Sequence, residues 1–276
     1  MTIREKGTSP AYFFGTNGHI SRIPSALMGR KIALFLDFDG TLVRIQKNPA
    51  RCILADETRE LLQSLANSNR CHVTVLSGRS ITDIKASVGI RTICYGGDHG
   101  LAISGKGMTY IHPGALAAKP AIDKAGRMLN RKIADIEGAR VERKKFTVSL
   151  HYRSVNKEAV PHVKEVFFAV AAEFRNEGPL AVMKGKKVLE LVPDVSWNKG
   201  SAALWILRKL KSESLSVYIG DDVTDEFAFQ ALNTEGITIH VGNAKRTSAD
   251  YYLKGQWEIT RLLRQVQQAG GDISCR

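Results

Sequence analysis

Residues 31–41 read KIALFLDFDGT: five apolar side chains in a row, then two aspartates spaced two apart, then a glycine. An unbroken apolar run of this length is a strand covered on both faces, as in a parallel sheet sandwiched between helices. Side chains two apart on a strand point the same way, so Asp37 and Asp39 are expected to converge at its carboxyl end. In open parallel sheets that end is where ligands bind. Gly40 lets the chain turn sharply there and leaves backbone amides facing an anion. Two carboxylates this close repel unless a cation lies between them. Mg²⁺, which prefers carboxylate, water and phosphate oxygens, meets that need.

Outward from this stretch the pattern alternates. Leu61, Leu62 and Leu65 predict a helix over 55–68, HVTVLSGR (72–79) a second buried strand, 80–88 a short helix, and RTICYGGDHG (91–100) a third strand with a Gly-rich turn. Past the middle of the chain the alternation resumes. A helix is expected over 199–211, a strand in LSVYIGDD (215–222), a helix over 225–232, a strand in GITIHVG (236–242) and a closing helix over 258–268. Strand–helix alternation of this kind builds a parallel sheet with helices on both faces. The middle differs: helices over 117–136 and 156–177, one straight or bent strand in VERKKFTVSLHYR (141–153), and another strand in KVLELV (187–192). That is an α+β module inserted into the first domain, its sheet covered by helices on one side.

Three further sites fall at strand ends. Ser77 follows the second strand, where a hydroxyl and backbone amides can hold a phosphoryl oxygen. Lys199 opens a helix in WNKGSAALW, a place suited to phosphate. Asp221, Asp222, Asp225 and Glu226 put four acids into six residues after another buried strand. Such crowding is costly without a metal or a cationic partner.

Composition narrows the classes. The 276 residues are 43% apolar and 24% charged, and no run approaches the length of a membrane span. No signal peptide is visible. Cys52, Cys71, Cys94 and Cys275 lack metal-ligand spacing, so they are expected as reduced thiols of a cytoplasmic protein. The net charge of +13 is concentrated between Ile103 and Glu190, with 17 Lys and Arg against 9 Asp and Glu. It is dispersed, with no block of five basic residues and no recognisable nucleic-acid module, so a solvated basic surface accounts for most of it. A nucleic-acid or anionic-surface binder, the competing class, would leave the acids at the strand ends unexplained. A small anionic substrate, with neither nucleic acid nor membrane as partner, explains both. Residues 1–29 show no periodicity and are expected as an extension, mobile in part.

The order DFDGT, SGR, KG, GDDVTDE resembles the haloacid dehalogenase superfamily from Lys31 to about Leu263. The resemblance implies a Rossmann-like α/β core, here 30–102 and 193–268, with an inserted α+β cap at 103–192 and a tail at 269–276. It implies Asp37 as nucleophile, Asp39 as general acid and base, and Ser77 and Lys199 as holders of the phosphoryl oxygens. Mg²⁺ would bind the Asp37 carboxylate, the Asp39 carbonyl and Asp221, with Asp225 in support. Within that superfamily the trehalose-6-phosphate phosphatase family is similar in GDDVTDE (220–226), GDHG (97–100), the Val141–Arg153 segment and GKKVLELVP (185–193). This implies substrate contacts from Gly78, Arg79 and His99, and sugar contacts from Glu142, Lys144, His151, Arg153 and Glu190. Val192 stands where that family commonly has Arg. Sucrose 6-phosphate and glucosyl-3-phosphoglycerate are the alternative substrates, and a phosphomutase outcome stays open, as does the oligomeric state.

Overall fold

Strand formation at Lys31–Leu36 follows from its two-sided burial: every residue after Lys31 is inaccessible. The computed structural model describes residues 9–15, 27, 29–46, 52–175, 180–210, 213–243 and 246–270. Two compact units divide the chain, one up to Thr109 and again from Trp197, the other Tyr110–Ser196. The first contributes β1 (Ala11–Tyr12), β2 (Lys31–Leu36), α1 (Asp56–Asn67), β3 (Cys71–Leu76), α2 (Ile81–Val88), β4 (Cys94–Gly97), β5 (Ala102–Gly105) and the first half of β6 (Met108–Ile111), within which the division falls. The second holds α3 (Pro113–Lys132), β7 (Arg140–Arg143), β8 (Val148–His151), α4 (Val160–Arg175), β9 (Leu180–Gly185) and β10 (Val188–Pro193). The first then resumes with α5 (Lys199–Leu210), β11 (Ser214–Gly220), α6 (Val223–Leu232), β12 (Ile237–Val241), β13 (Tyr251–Leu253) and α7 (Ile259–Gly270).

The large sheet runs β1-β13-β12-β11-β2-β3-β4-β5-β6. Its pairings from β1 through β4 are parallel, and β5 turns back antiparallel on β4. The chain leaves β2 toward β3 and β4, then returns on the other side as β11. The order therefore reverses between β2 and β11, the position at which open parallel sheets bind ligands, outside the carboxyl ends of the strands. Ile32, Leu34 and Leu36 join Leu62 and Leu65 of α1 and Leu262, Leu263 and Val266 of α7 in one layer. Phe35 points to the other face, stacked on Tyr218 of β11 with ring centroids 6.3 Å apart. This is the expected Rossmann-like haloacid dehalogenase architecture.

In the second unit the order is β7-β8-β10-β9, all antiparallel. Val148, Leu150, Leu189 and Leu191 pack with Ile122 and Leu129 of α3 and Val163, Phe167 and Phe174 of α4. One sheet face is thus apolar and helix-covered, as the alternation in FTVSLHY requires.

Several boundaries depart from the sequence reading. The unit boundaries fall at 109/110 and 196/197 rather than 102/103 and 192/193, because β5 and β6 extend the large sheet. Helix α3 begins at Pro113, not 117: proline suits a first helical position, and the His112 side chain accepts from the Gly114 amide. VERKKFTVSLHYR forms two strands, closed where the Lys144 amide donates to the Thr147 carbonyl at 3.0 Å. Helix α7 runs to Gly270, so the expected tail starts later, and 271–276, with Cys275, lie outside the described residues. Cys52, Cys71 and Cys94 are buried free thiols. Among the described residues no helix is long and apolar enough to cross a membrane.

The stretch expected as a mere extension includes a sheet strand. β1 pairs in parallel with β13, and Phe13 and Leu27, each 3% exposed, belong to the core. The Tyr12 hydroxyl donates to Glu258, whose other oxygen accepts from the Lys254 amide at 2.7 Å. The added strand covers a sheet edge that would otherwise present unpaired amides. Tyr12→Phe is expected to lower unfolding free energy by about 1 kcal/mol, the worth of one such hydrogen bond. Urea denaturation of the two proteins would check it, and equal midpoints would leave the tyrosine hydroxyl without a stabilising role.

Candidate active site

At the end of β2 the backbone folds over itself. The Leu42 and Val43 amides both donate to the Phe38 carbonyl at 3.0 Å, and the Gly40 amide donates to the Val43 carbonyl at 2.7 Å. Gly40 has φ +103, and a Cβ there would lie 2.2 Å from Asp221 Oδ2. Only glycine allows that carboxylate to sit against the turn. Thr41 Oγ1 donates to Asp221 Oδ1 at 3.3 Å. Asp37, 4% exposed, faces this group; Asp39 does not. Arg79 takes both Asp39 oxygens, Nε to Oδ2 and Nη2 to Oδ1, each at 2.7 Å. The expected convergence of the two aspartates is therefore incomplete, because a bidentate guanidinium holds Asp39 to one side.

The turn after β11 is organised by Asp225. Its Oδ2 accepts from the Asp221 and Asp222 amides, both at 3.0 Å, and Asp222 caps α6 through the Val223 amide at 2.8 Å. Its Oδ1 accepts from Tyr218 Oη at 2.8 Å and Lys199 Nζ at 2.7 Å. All four lone-pair positions of a fully buried carboxylate are thus in use. Lys199, 2% exposed, also donates to Asp37 Oδ1 at 2.6 Å. Burial favours loss of its proton, but Asp225 and Asp37 outweigh burial and raise its pKa above the usual lysine value. Burial likewise pushes the Asp37 pKa well above the ordinary carboxylate value; Lys199 opposes this, while Asp225 and Asp221 add to it.

Ligand atoms of Asp37, Asp221 and Asp225 lie within 4.8 Å of one another. Three carboxylates face one lysine, which leaves two negative charges and an all-oxygen donor set. That chemistry fits a hard divalent cation. With Asp225 fully used, Asp37 and Asp221 are the carboxylates that would hold it.

The loop after β3 is clamped by the Gly-rich turn after β4. The Ser77 amide donates to the Gly96 carbonyl at 2.9 Å, the His99 amide to the Ser77 carbonyl at 3.0 Å, and the Asp98 amide to the Arg79 carbonyl at 2.7 Å. Asp98 and His99 have φ of 48° and 59°. Left-handed backbone costs a non-glycine residue about 1–2 kcal/mol, so these bonds hold a strained turn. The His99 ring lies over Gly78, where a Cβ would come within 2.6 Å of its Cε1. Arg79, expected among the substrate contacts, binds Asp39, Asp83 Oδ2 at 3.1 Å and Ser87 Oγ at 3.4 Å, and lies 5.0 Å from the Phe38 ring centroid.

On the polar face of the second unit's sheet, Glu142, Ser149 and Glu190 are paired in one row. Glu190 is 6% exposed, and its Oε1 accepts from Lys144 Nζ, Thr147 Oγ1 and Ser149 Oγ, each at 2.8 Å. Glu142 Oε2 lies 2.7 Å from His151 Nε2 and 3.5 Å from Arg140. Burial raises the Glu142 pKa, but the His151 hydrogen bond with the Lys144, His151 and Arg140 charges brings it down to about 2. Four of the five expected sugar residues thus share one face. Arg153 does not join them: it is exposed and donates to the Lys186 carbonyl at 2.6 Å.

Residues 35–256, more than half of the chain, match the trehalose-phosphatase family. The chain belongs to that family. The trehalose-phosphate phosphatase of Mycobacterium tuberculosis is 36% identical over 261 residues, covering 90% of this chain and 65% of that protein. The chain therefore spans less than two thirds of that relative's length. The crystal structure of a trehalose-6-phosphate phosphatase related protein superposes with a TM-score of 0.75 at 27% identity, covering 86% of this chain and 98% of that one. The C-terminal domain of trehalose-6-phosphate phosphatase from C. albicans shares the fold, with a TM-score of 0.73 at 21% identity over 95% of this chain and 99% of that one.

Four polar residues of these two side-chain clusters receive no role from the motifs: Thr41, Thr147, Ser149 and Tyr218. A signal exists for two of them. Thr147, Ser149 and His151 occupy alternate positions of a strand whose other residues are apolar, so they line one face together. Tyr218 carries no such mark inside the apolar run SVYIG.

Proposed function

We propose that this chain is a phosphoric monoester hydrolase that removes phosphate from trehalose 6-phosphate, with Mg²⁺ as cofactor. One observation carries the reading: Asp37 is buried at the strand-order reversal and shares Lys199 with Asp225, beside Asp221. A bound Mg²⁺ would supply positive charge to the phosphoryl oxygens and offset the two excess negative charges. An Asp37 carboxylate oxygen attacks phosphorus, the bond from phosphorus to the sugar oxygen breaks, and Asp39 protonates that departing oxygen. Water then attacks phosphorus while Asp39 takes its proton, the bond to Asp37 breaks, and inorganic phosphate leaves. Lys199 and Ser77 hold the transferring oxygens. Asp39 enters this sequence only when at least one of its oxygens is released by Arg79. Contacts to the sugar fall to the polar face of the second unit, through Lys144, Glu142 and His151. Buried, reduced cysteines suit a cytoplasmic enzyme at the last step of trehalose synthesis.

The test is phosphate release from trehalose 6-phosphate, sucrose 6-phosphate and glucosyl-3-phosphoglycerate, with Mg²⁺ and with chelator. Trehalose 6-phosphate is expected to lead by at least tenfold in kcat/KM, and chelator to stop turnover. Asp221→Asn is expected to raise the Mg²⁺ concentration for half-maximal rate by about tenfold, as loss of a charged ligand does, with partial rescue at high Mg²⁺. Turnover that survives chelation, or a panel hydrolysed indiscriminately, would sink the reading.

A further inference from the structure

We infer that Tyr218 is a positioning residue, whose hydroxyl fixes Asp225 and through it the placement of Lys199 against the nucleophile. The inference rests on the phosphoryl-transfer reading of this site. Tyr218 stands on β11 opposite Phe35 of β2 and Thr238 of β12. Its ring stacks on Phe35 at 6.3 Å and meets the edge of Phe229 at 5.7 Å, and the residue is fully buried. For packing alone phenylalanine would do as well. The hydroxyl is the extra feature, and burying it without a partner costs free energy. Its partner is Asp225 Oδ1 at 2.8 Å, the same oxygen that takes Lys199 Nζ at 2.7 Å.

Two lone pairs sit on that oxygen, one for each donor. Lys199 in turn spends one N–H on Asp225 and one on Asp37, at 2.7 and 2.6 Å. The third N–H has no partner among the described residues, and the two carboxylates dictate where it points. Without the hydroxyl, Asp225 Oδ1 has a vacant lone pair in a dry site. The ammonium then shifts toward Asp225 and away from Asp37, and its third N–H is re-aimed. A ring wedged between two aromatic residues cannot follow such a shift, so Tyr218 holds the group to one geometry. Misplacement of this kind lowers turnover more than substrate binding, because the ammonium matters most where charge develops in the transition state.

The experiment compares wild type with Tyr218→Phe on trehalose 6-phosphate and on p-nitrophenyl phosphate, and repeats the pair in a Lys199→Met background. Lys199→Arg replaces it if the methionine variant does not fold. Tyr218→Phe is expected to cut kcat about tenfold on both esters, with KM within about twofold and a melt that stays cooperative at a midpoint lowered by the lost hydrogen bond. In the Lys199 background the same change is expected to alter kcat by less than about twofold, because the hydroxyl acts through that lysine. An unchanged kcat in the first background overturns the inference, and so does the same loss in both, which would mark a packing role. A wild type that hydrolyses the aryl ester but not trehalose 6-phosphate would remove the proposed substrate and leave the Tyr218 comparison readable.

Discussion

Asp37→Asn is expected to lower turnover by about four orders of magnitude or more, a range typical for loss of a catalytic nucleophile, while the protein stays folded. Asparagine keeps the shape and the hydrogen bond from Lys199 Nζ, which lies 2.6 Å from Oδ1. It removes the charge that attacks phosphorus. Stability should not suffer, because Asp37 is one of three carboxylates around a single lysine. Burial raises its pKa in the fold, so the folded protein binds the proton more tightly than the unfolded chain. In metal-free protein this makes wild-type stability fall as pH rises from the ordinary carboxylate value of 3.8 through the raised folded value. An asparagine side chain cannot titrate, and the variant is expected to lack that loss. Single-turnover assays with thermal melts across pH decide both parts. Residual turnover within a hundredfold of wild type on any phosphate ester would remove Asp37 from the nucleophile role.

The parts of the fold that sequence discloses are those where one residue type has one structural meaning. KIALFL, short, apolar after Lys31 and followed by a glycine turn, reads as a strand covered on both faces, and DFDGT and GDDVTDE each place carboxylates just after such a run. Lys199 is visible as a cation opening a helix, although its partners Asp37 and Asp225 are 162 and 26 residues away. Contacts that depend on side-chain direction are not visible. Nothing in DFDGT says that Asp39 turns to Arg79, because that pairing needs the loop after β3 to be in place. Very short strands are also hidden. β1 and β13 hold two and three residues, too few for a period to register, and their pairing is set by the aromatic residues around Tyr12 and Tyr252. The helix that starts at Pro113 reads short in the sequence because its first turn is fixed by a proline and a histidine cap instead of by apolar spacing.

The polar face of the second unit yields the second large effect, and its sign depends on what Glu190 does. As a residue merely awaiting a sugar hydroxyl it would be dispensable to folding. The structure makes it an acceptor for three donors at 2.8 Å, one of them the Lys144 ammonium, with the two charged side chains only 8% and 9% exposed. Removing one partner of a buried pair costs up to about 3–5 kcal/mol, and the Glu142 charge beside Lys144 offsets part of that. Glu190→Ala is therefore expected to destabilise the protein by up to that amount, read in urea unfolding. Glu190→Gln keeps an oxygen for Thr147 and Ser149 but removes the charge that fixes Lys144, so the loss should be smaller. Lys144, with one of its anchoring charges gone, is expected to serve the sugar poorly. A charged hydrogen bond of about 1.5–3 kcal/mol is then at stake, roughly ten- to a hundredfold in kcat/KM for trehalose 6-phosphate. p-Nitrophenyl phosphate has no sugar for Lys144 to contact, and Glu190→Gln should change its hydrolysis by less than about threefold. Equal losses on both esters would mean that the Glu190 cluster supports the fold without reading the substrate. Full activity of Glu190→Gln on trehalose 6-phosphate would mean that the charge fixing Lys144 is not used for recognition.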